Sequence, residues 1–118
     1  MFNEQCAIIE VPVPNHTEQI LKLVGPLTIT TLFDFRDRLR AQKAAKTVIL
    51  DLSEVPYIDS AGVGAIVNAH VSCANAGRRL ALVGVMDRVQ TLLKLTRVDS
   101  VLAIFPTLTD AERALSDA

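Results

Sequence analysis

The stretch Tyr57-Ile58-Asp59-Ser60-Ala61-Gly62-Val63-Gly64 joins a strand pattern to a helix pattern, and it decides the fold. The run 47–52 before it (TVILDL) is β-branched, apolar and short, which predicts a fully buried parallel strand. Gly62 and Gly64 leave the backbone bare of side chains at the helix entry. We therefore expect Ser60 to be exposed at a strand-to-helix turn, at or next to a helix N-cap.

The segment 61–76 after this junction has helical periodicity. The spacing predicts a core face made of Val63, Ile66, Val67, His70, Val71 and Ala74. The segment has no charged residue, and its other face offers only Gly64, Ala65, Asn68, Ser72 and Asn75. A solvent-facing helix normally carries charges on its outer side. The uncharged face therefore favours a docking surface, with coverage by the chain itself or by a second copy as the alternative.

Strand and helix patterns alternate along the rest of the chain. The predicted strands are 6–13, 18–24, 47–52, 79–84 and 101–105, and the predicted helices are 28–43, 61–76, 87–95 and one that begins at 107. In the first helix, a buried stripe is predicted for Ile29, Leu32, Phe35 and Leu39. The first two strands suggest a hairpin with a turn at Asn15 and His16. The sequence thus predicts a single α/β domain over residues 1–118, with a mostly parallel central sheet, an N-terminal hairpin and about four helices.

Composition excludes several classes of protein. A net charge of −1 gives no general attraction to nucleic acid, and the basic run 36–46 near a helix end is predicted to be a solvated face. No apolar stretch is long enough to span a bilayer, so no membrane insertion is expected, and the first ten residues lack the pattern of a secretory signal. Two distant cysteines indicate reduced thiols and a cytoplasmic location.

The reactive residues do not form a catalytic or metal-binding pattern. Ser60 lacks the G-x-S-x-G context of a hydrolase nucleophile, and the two histidines and two cysteines lack the paired spacing of a zinc site. Asp51 and Asp59 suggest a magnesium site, but no acidic pair ends an earlier strand and no suitable lysine is evident. We therefore predict no enzyme activity, no metal and no cofactor.

Two segments carry a family resemblance. Residues 49–53 (ILDLS) and 55–64 (VPYIDSAGVG) closely resemble the signature of STAS domains, which are named for sulfate transporters and anti-sigma factor antagonists. The turn 25–28 (GPLT) and the segment 89–96 (VQTLLKLT) are similar to further parts of the family pattern, so the resemblance covers nearly the whole chain. By its length, the chain is similar to the stand-alone bacterial antagonists.

The resemblance implies a partner-switching protein. In such systems, the unphosphorylated antagonist binds an anti-sigma factor that is also a serine kinase; phosphorylation of the serine after the signature aspartate releases it, and a serine phosphatase reverses the change. That serine corresponds to Ser60. The expected partner-binding residues are Thr28, Tyr57, Asp59, Ser60, Ala61, Gly62, Val63, Gly64 and Asn68.

An alternative keeps the fold and changes the role. The chain would then be a STAS subunit of a lipid-transport ABC complex, or a signalling scaffold, in which Ser60 only caps a helix. The sequence also departs from the family pattern. Pro26 and Thr28 replace acidic residues that are frequent in the first turn, and Arg97 replaces a glycine. A left-handed helix end at Arg97 would be strained.

Overall fold

The computed structural model describes residues 4–14, 17–41 and 45–115, in which strands and helices alternate after an initial strand pair. The strands are Ala7–Val11 (β1), Glu18–Val24 (β2), Thr47–Glu54 (β3), Arg79–Val83 (β4) and Ala103–Phe105 (β5). The helices are Leu32–Ala41 (α1), Ser60–Asn75 (α2), Asp87–Leu95 (α3) and Leu108–Leu115 (α4), and a 3₁₀ turn, Val98–Ser100, precedes β5.

The five strands form one sheet in the order β1-β2-β3-β4-β5. The β1–β2 pair is antiparallel and the other neighbours are parallel, which confirms the predicted α/β fold and hairpin. The predicted turn at Asn15 and His16 lies outside the described residues. Because β2, β3 and β4 run in one direction, the connections that leave their carboxyl ends lie along the same edge of the sheet.

The central strand β3 separates two apolar clusters. Val48, Leu50 and Leu52 belong to the larger cluster, which also contains core residues of α1, α2 and α3. Ile49 belongs to the smaller cluster with Ala111 of α4. Successive side chains of a strand point to opposite faces, so β3 is covered on both sides. This confirms the parallel strand expected for residues 47–52 and its burial at 48–50 and 52, whereas Thr47 and Asp51 are half-buried.

Helix α1 begins later than predicted. The Thr28 carbonyl accepts a hydrogen bond from the Leu32 N–H at 2.9 Å, and the residues between form a turn that precedes the regular helix. Leu32 and Phe35 are buried as expected, but Ile29 is 59% exposed, so its assignment to the buried stripe was wrong. Ile29 lies in this turn, where helical spacing does not apply.

Helix α2 is rotated about its axis relative to the prediction. Ala65, Ala69 and Cys73 are buried, whereas Val71 and Ala74, which were assigned to the core face, are exposed. The helix packs against β4 and α1. Val63 and Ile66 are buried as predicted, so the prediction was wrong only for Val71 and Ala74, and for Ala65, which was assigned to the outer face. Small side chains at 65, 69 and 73 allow the close approach of the neighbouring elements.

Helices α2 and α3 are each followed by a residue in the left-handed conformation, a glycine after α2 and an arginine after α3. Gly77, with φ +72°, follows α2. The Gly77 N–H donates to the Ala74 carbonyl and the Arg78 N–H to the Cys73 carbonyl, which is the Schellman arrangement that a glycine after a helix commonly forms. After α3, the left-handed residue is Arg97, with φ +63°. The helix end therefore keeps the family geometry at the cost of backbone strain.

Candidate functional site

The site is built around Asp59, which is the N-cap of α2. Its Oδ1 atom accepts a hydrogen bond from the Gly62 N–H at 2.8 Å, and its Oδ2 atom accepts one from the Ile29 N–H at 3.0 Å. One carboxylate therefore fixes both the start of α2 and the β2–α1 connection. Ser60 is the first residue of the helix and is exposed, as the sequence predicts.

Backbone contacts hold the same junction in place. Leu27 forms an isolated parallel bridge with Ile58, and its carbonyl accepts a hydrogen bond from the Asp59 N–H at 3.4 Å. A Cβ atom on Gly62 would lie 2.2 Å from the Leu27 carbonyl oxygen, a distance that backbone atoms do not tolerate. Gly62 therefore allows α2 to begin directly against the β2–α1 connection, and this contact fixes where Ser60 lies.

A carboxylate from the N-terminal segment joins the site. The Thr28 hydroxyl donates to Glu4 Oε2 at 3.4 Å, and the Tyr57 hydroxyl also hydrogen-bonds to Glu4. Glu4 thus places a negative charge beside Thr28, in the turn where the family pattern has acids and this chain does not. Sequence reasoning missed Glu4 because it lies 24 residues before Thr28 in the chain, and no local pattern links the two residues.

Tyr57 connects this carboxylate to a cation. The Arg88 guanidinium lies 5.4 Å from the centroid of the Tyr57 ring, within the range of a cation–π contact. Partial burial raises the pKa of Tyr57, the hydrogen bond and charge of Glu4 raise it further, and Arg88 opposes the shift. The phenol is therefore held in its neutral, hydrogen-bonding form between groups of opposite charge.

Large apolar side chains are exposed near the same edge of the sheet. Ile29 is 59% exposed, Phe33 in the first turn of α1 is 54% exposed, and Met86 at the start of α3 is 43% exposed. Exposed apolar side chains that cluster around a polar centre are typical of protein interfaces. Sequence reasoning did not select Phe33 or Met86, although their positions next to strand-to-helix connections would have indicated this edge.

The predicted site residues occupy three environments. Thr28, Gly62 and Val63 are buried, so they shape the site and do not present side chains to a partner. Tyr57, Asp59 and Ala61 are half-buried, and the exposed positions are Ser60, Gly64 and Asn68. The structure therefore brings residues 57–62 and Thr28 together at the edge of the sheet, while Gly64 and Asn68 lie further along α2.

The described residues contain no group of three His, Cys, Asp or Glu side chains that could hold a metal ion. Asp51 Oδ1 accepts a hydrogen bond from the Ser53 N–H at 2.9 Å. Both cysteines are free and buried, and burial raises the pKa of the Cys6 thiol to about 11. Over the same part of the chain, no helix has the length and apolar character needed to cross a membrane.

With this geometry established, comparison with known proteins identifies the family. The STAS domain profile matches residues 9–111, and the chain belongs to the STAS domain family. This confirms the resemblance to STAS domains that residues 49–53 and 55–64 show.

Two bacterial relatives carry names that state a role. A Thermotoga maritima protein, named as a proposed anti-sigma factor antagonist, is 36% identical over 69 residues, which are 58% of this chain and 61% of the relative. The anti-sigma-B factor antagonist of Listeria monocytogenes is 29% identical over 84 residues, which are 70% of this chain and 74% of the relative. Neither name is that of an enzyme.

Solved structures confirm the fold. The crystal structure of the Thermotoga maritima protein TM1081 superposes with a TM-score of 0.80 at 26% identity, covering 92% of this chain and 94% of that one. The antagonist SpoIIAA in its unphosphorylated form gives a TM-score of 0.75 at 15% identity, covering 92% and 96% of the two chains. At such low identity, the second likeness concerns the fold alone.

Proposed function

We propose that the protein is a bacterial, cytoplasmic anti-sigma factor antagonist, with residues 1–118 forming one STAS domain. In its unphosphorylated form it binds an anti-sigma factor of the serine-kinase type and thereby regulates sigma-factor-dependent transcription. Phosphorylation of Ser60 releases the partner, and a serine phosphatase restores binding. The names of the bacterial relatives support the general role.

One observation carries the proposed switch: Asp59, and not Ser60, supplies the capping oxygen of α2. The Ser60 hydroxyl is therefore not needed to start the helix, and it is exposed at the centre of the site. In the alternative role, a lipid-transport subunit or scaffold, Ser60 serves only as a helix cap. Capping by Asp59 disfavours that assignment of Ser60.

The chemistry of the site makes release by phosphorylation reasonable. Phosphorylation adds roughly −1.5 to −2 charges, which the N-terminus of a helix accepts without unfolding. In a docked interface, the same charge must lose its water and would lie beside the Asp59 carboxylate, and every 1.4 kcal/mol of such penalty weakens binding about tenfold. The switch acts by local electrostatics, and the fold is retained.

The test is to map phosphorylation in a lysate of the source cell supplied with ATP. Mass spectrometry is expected to find phosphate on Ser60 in the wild-type protein and none in Ser60→Ala. Ser72→Ala is the matched control, because Ser72 is an exposed serine on the same helix. Phosphorylation of the Ser60→Ala variant at the wild-type level would show that another residue is the target and would contradict the proposal.

A further inference from the structure

A groove of about 720 Å³ runs between α1 and α2. Its apolar part is formed by Leu39 of α1 and by Ala65, Ala69 and Cys73 of α2. On α2 it extends from Ala65 to Ala76, a length of about 16 Å at the helical rise per residue. The groove is thus elongated, and small, largely buried side chains form its floor.

Three arginines line the groove. Arg36 and Arg40 come from α1, and Arg78 follows α2; none of the described residues that line the groove is acidic. Arg78 Nε donates a hydrogen bond to the Ala45 carbonyl at 2.6 Å, and this bond orients the Arg78 side chain. The positive lining contrasts with the chain as a whole, whose net charge is −1.

The two arginines of α1 carry a cost that a ligand could offset. Arg36 and Arg40 are four residues apart on the helix, a spacing at which like charges destabilise it. Neither has an ion-pair partner among residues 4–14, 17–41 and 45–115, although the Arg36 guanidinium lies 5.5 Å from the Phe33 ring centroid. A ligand with carboxylates along one side would supply the missing negative charge.

Helix α2 contributes only neutral groups to the groove. Asn68 and Ser72 are exposed and can hydrogen-bond to polar groups, while Val71 is 46% exposed and adds apolar surface. The absence of charge on α2 therefore has its counterpart in the positive charge across the groove. A complementary ligand would have one apolar ridge flanked by acids.

We propose that the α1–α2 groove binds an acidic amphipathic helix of a partner protein. Apolar residues of that helix would pack on Leu39, Val71 and Ala76, and its carboxylates would pair with Arg36 and Arg40. About three helical turns would fill the length of the groove. This proposal goes beyond the proposed function, since binding in the groove does not require a change at Ser60.

The test is a selection from displayed amphipathic helices of about 15 residues, long enough to exceed the groove. Their apolar positions follow the i, i+3, i+4, i+7 pattern, and their polar positions are randomised over charged and neutral residues. The full chain is the bait. Selected helices are expected to be enriched in Asp and Glu, and to bind more weakly as the salt concentration rises.

Two double variants with the same change of charge locate the binding. Arg36→Glu with Arg40→Glu is expected to weaken selected helices by about tenfold or more, whereas Lys94→Glu with Arg113→Glu, on α3 and α4, is expected to change binding little. Replacing the acids of a selected helix by lysine is expected to restore binding to the first variant. Circular dichroism verifies that both variants are folded.

Three results would overturn the proposal. The first is a selection with no preference for acids, and the second is equal binding of the selected helices to both double variants. The third is that the full chain selects no helix at all.

Discussion

Two strand-to-helix junctions lie at the same edge of the sheet, and the helices that follow them are capped in different ways. Between β3 and α2, the N-cap is Asp59, its carboxylate caps the helix, and Ser60 is the first helical residue. Between β4 and α3, the N-cap is Met86, no side chain caps the helix, and Asp87 is the first helical residue. Ser60 and Asp87 are therefore equivalent positions, one neutral and one negative.

The difference shows how a helix start can present a hydroxyl without depending on it. In the first junction, the cap lies one residue earlier, so the position of Ser60 is free for an exposed group that can change its charge. In the second, a permanent negative charge at the equivalent position favours the helix through its dipole. The α3 junction thus shows that this fold tolerates, at a helix start, a charge of the same sign as the one that phosphorylation would add to α2.

The largest effect on stability is expected from a substitution that disrupts the backbone contact at the α2 junction. Gly62→Ala is expected to lower the free energy of unfolding by about 3 kcal/mol, because the new Cβ would clash with the Leu27 carbonyl. Gly64→Ala is the matched control: a Cβ there meets open space, and the change is expected to stabilise the helix by up to about 1 kcal/mol. Urea denaturation measures both, and equal effects would contradict the contact.

The next effect concerns the cap. Asp59→Ala removes hydrogen bonds to the Gly62 and Ile29 N–H groups, and it is expected to lower the free energy of unfolding by about 2 kcal/mol. At the other junction, Met86→Ser adds a capping hydroxyl and is expected to raise it by about 0.5 kcal/mol. If denaturation shows no loss for Asp59→Ala, then Asp59 does not have the structural role assigned to it.

A smaller effect is expected when the two junctions are made alike. Ser60→Asp gives α2 the first residue that α3 has, and it is expected to change the free energy of unfolding by less than about 1 kcal/mol. Amide chemical shifts are expected to move only at the start of α2 and in the β2–α1 connection. The reverse change, Asp87→Ser, is the control at α3. Shifts throughout the sheet in Ser60→Asp would indicate a change of fold.

The smallest effect is on the Tyr57 pKa, which absorbance titration can follow because Tyr57 is the only tyrosine and the chain has no tryptophan. Glu4→Gln is expected to lower this raised pKa, and Arg88→Ala is expected to raise it further, because Glu4 and Arg88 act in opposite directions. Glu10→Gln, on β1, is the matched control. No change with Glu4→Gln would remove Glu4 from the site.

The direction of this shift also fixes a pH dependence. Because the folded pKa lies above the ordinary value of 10.0, the contribution of Tyr57 to stability is complete below that pH. It is lost as the pH rises through the raised folded pKa. In Glu4→Gln, the loss is expected to begin at the same pH and to be smaller, and denaturation measured across this alkaline range would show it.

Much of the fold was predictable because local sequence and tertiary structure agree. Residues 48–50 and 52 of the predicted strand are buried, and the last helix starts next to Thr107, as the patterns indicate. Thr107 pairs with Asp110 there, and Gly77 ends α2. The exposed position of Ser60 followed from the same kind of reasoning. Such features depend on neighbours in the chain, and the sequence contains them.

Other features depend on contacts between distant segments. The buried face of α2 is set by how closely Ala65 and Ala69 approach their neighbours, and periodicity assigned the bulkier Val71 instead. The carboxylate of Glu4 reaches the site across 24 residues of sequence separation from Thr28. Arg36 and Arg40 are exposed as predicted, but the sequence does not show that they line a groove with α2. In each case, the decisive partner is not a neighbour in the chain.

The measurement that tests the central claim most directly is affinity capture from a lysate of the source cell, with wild type, Ser60→Ala and Ser60→Asp as parallel baits and mass spectrometry of the bound proteins. The account predicts that wild type and Ser60→Ala recover an anti-sigma factor with a serine-kinase domain and that Ser60→Asp does not. Equal recovery of a lipid-transport ATPase by all three baits would contradict it and would make Ser60 a structural residue.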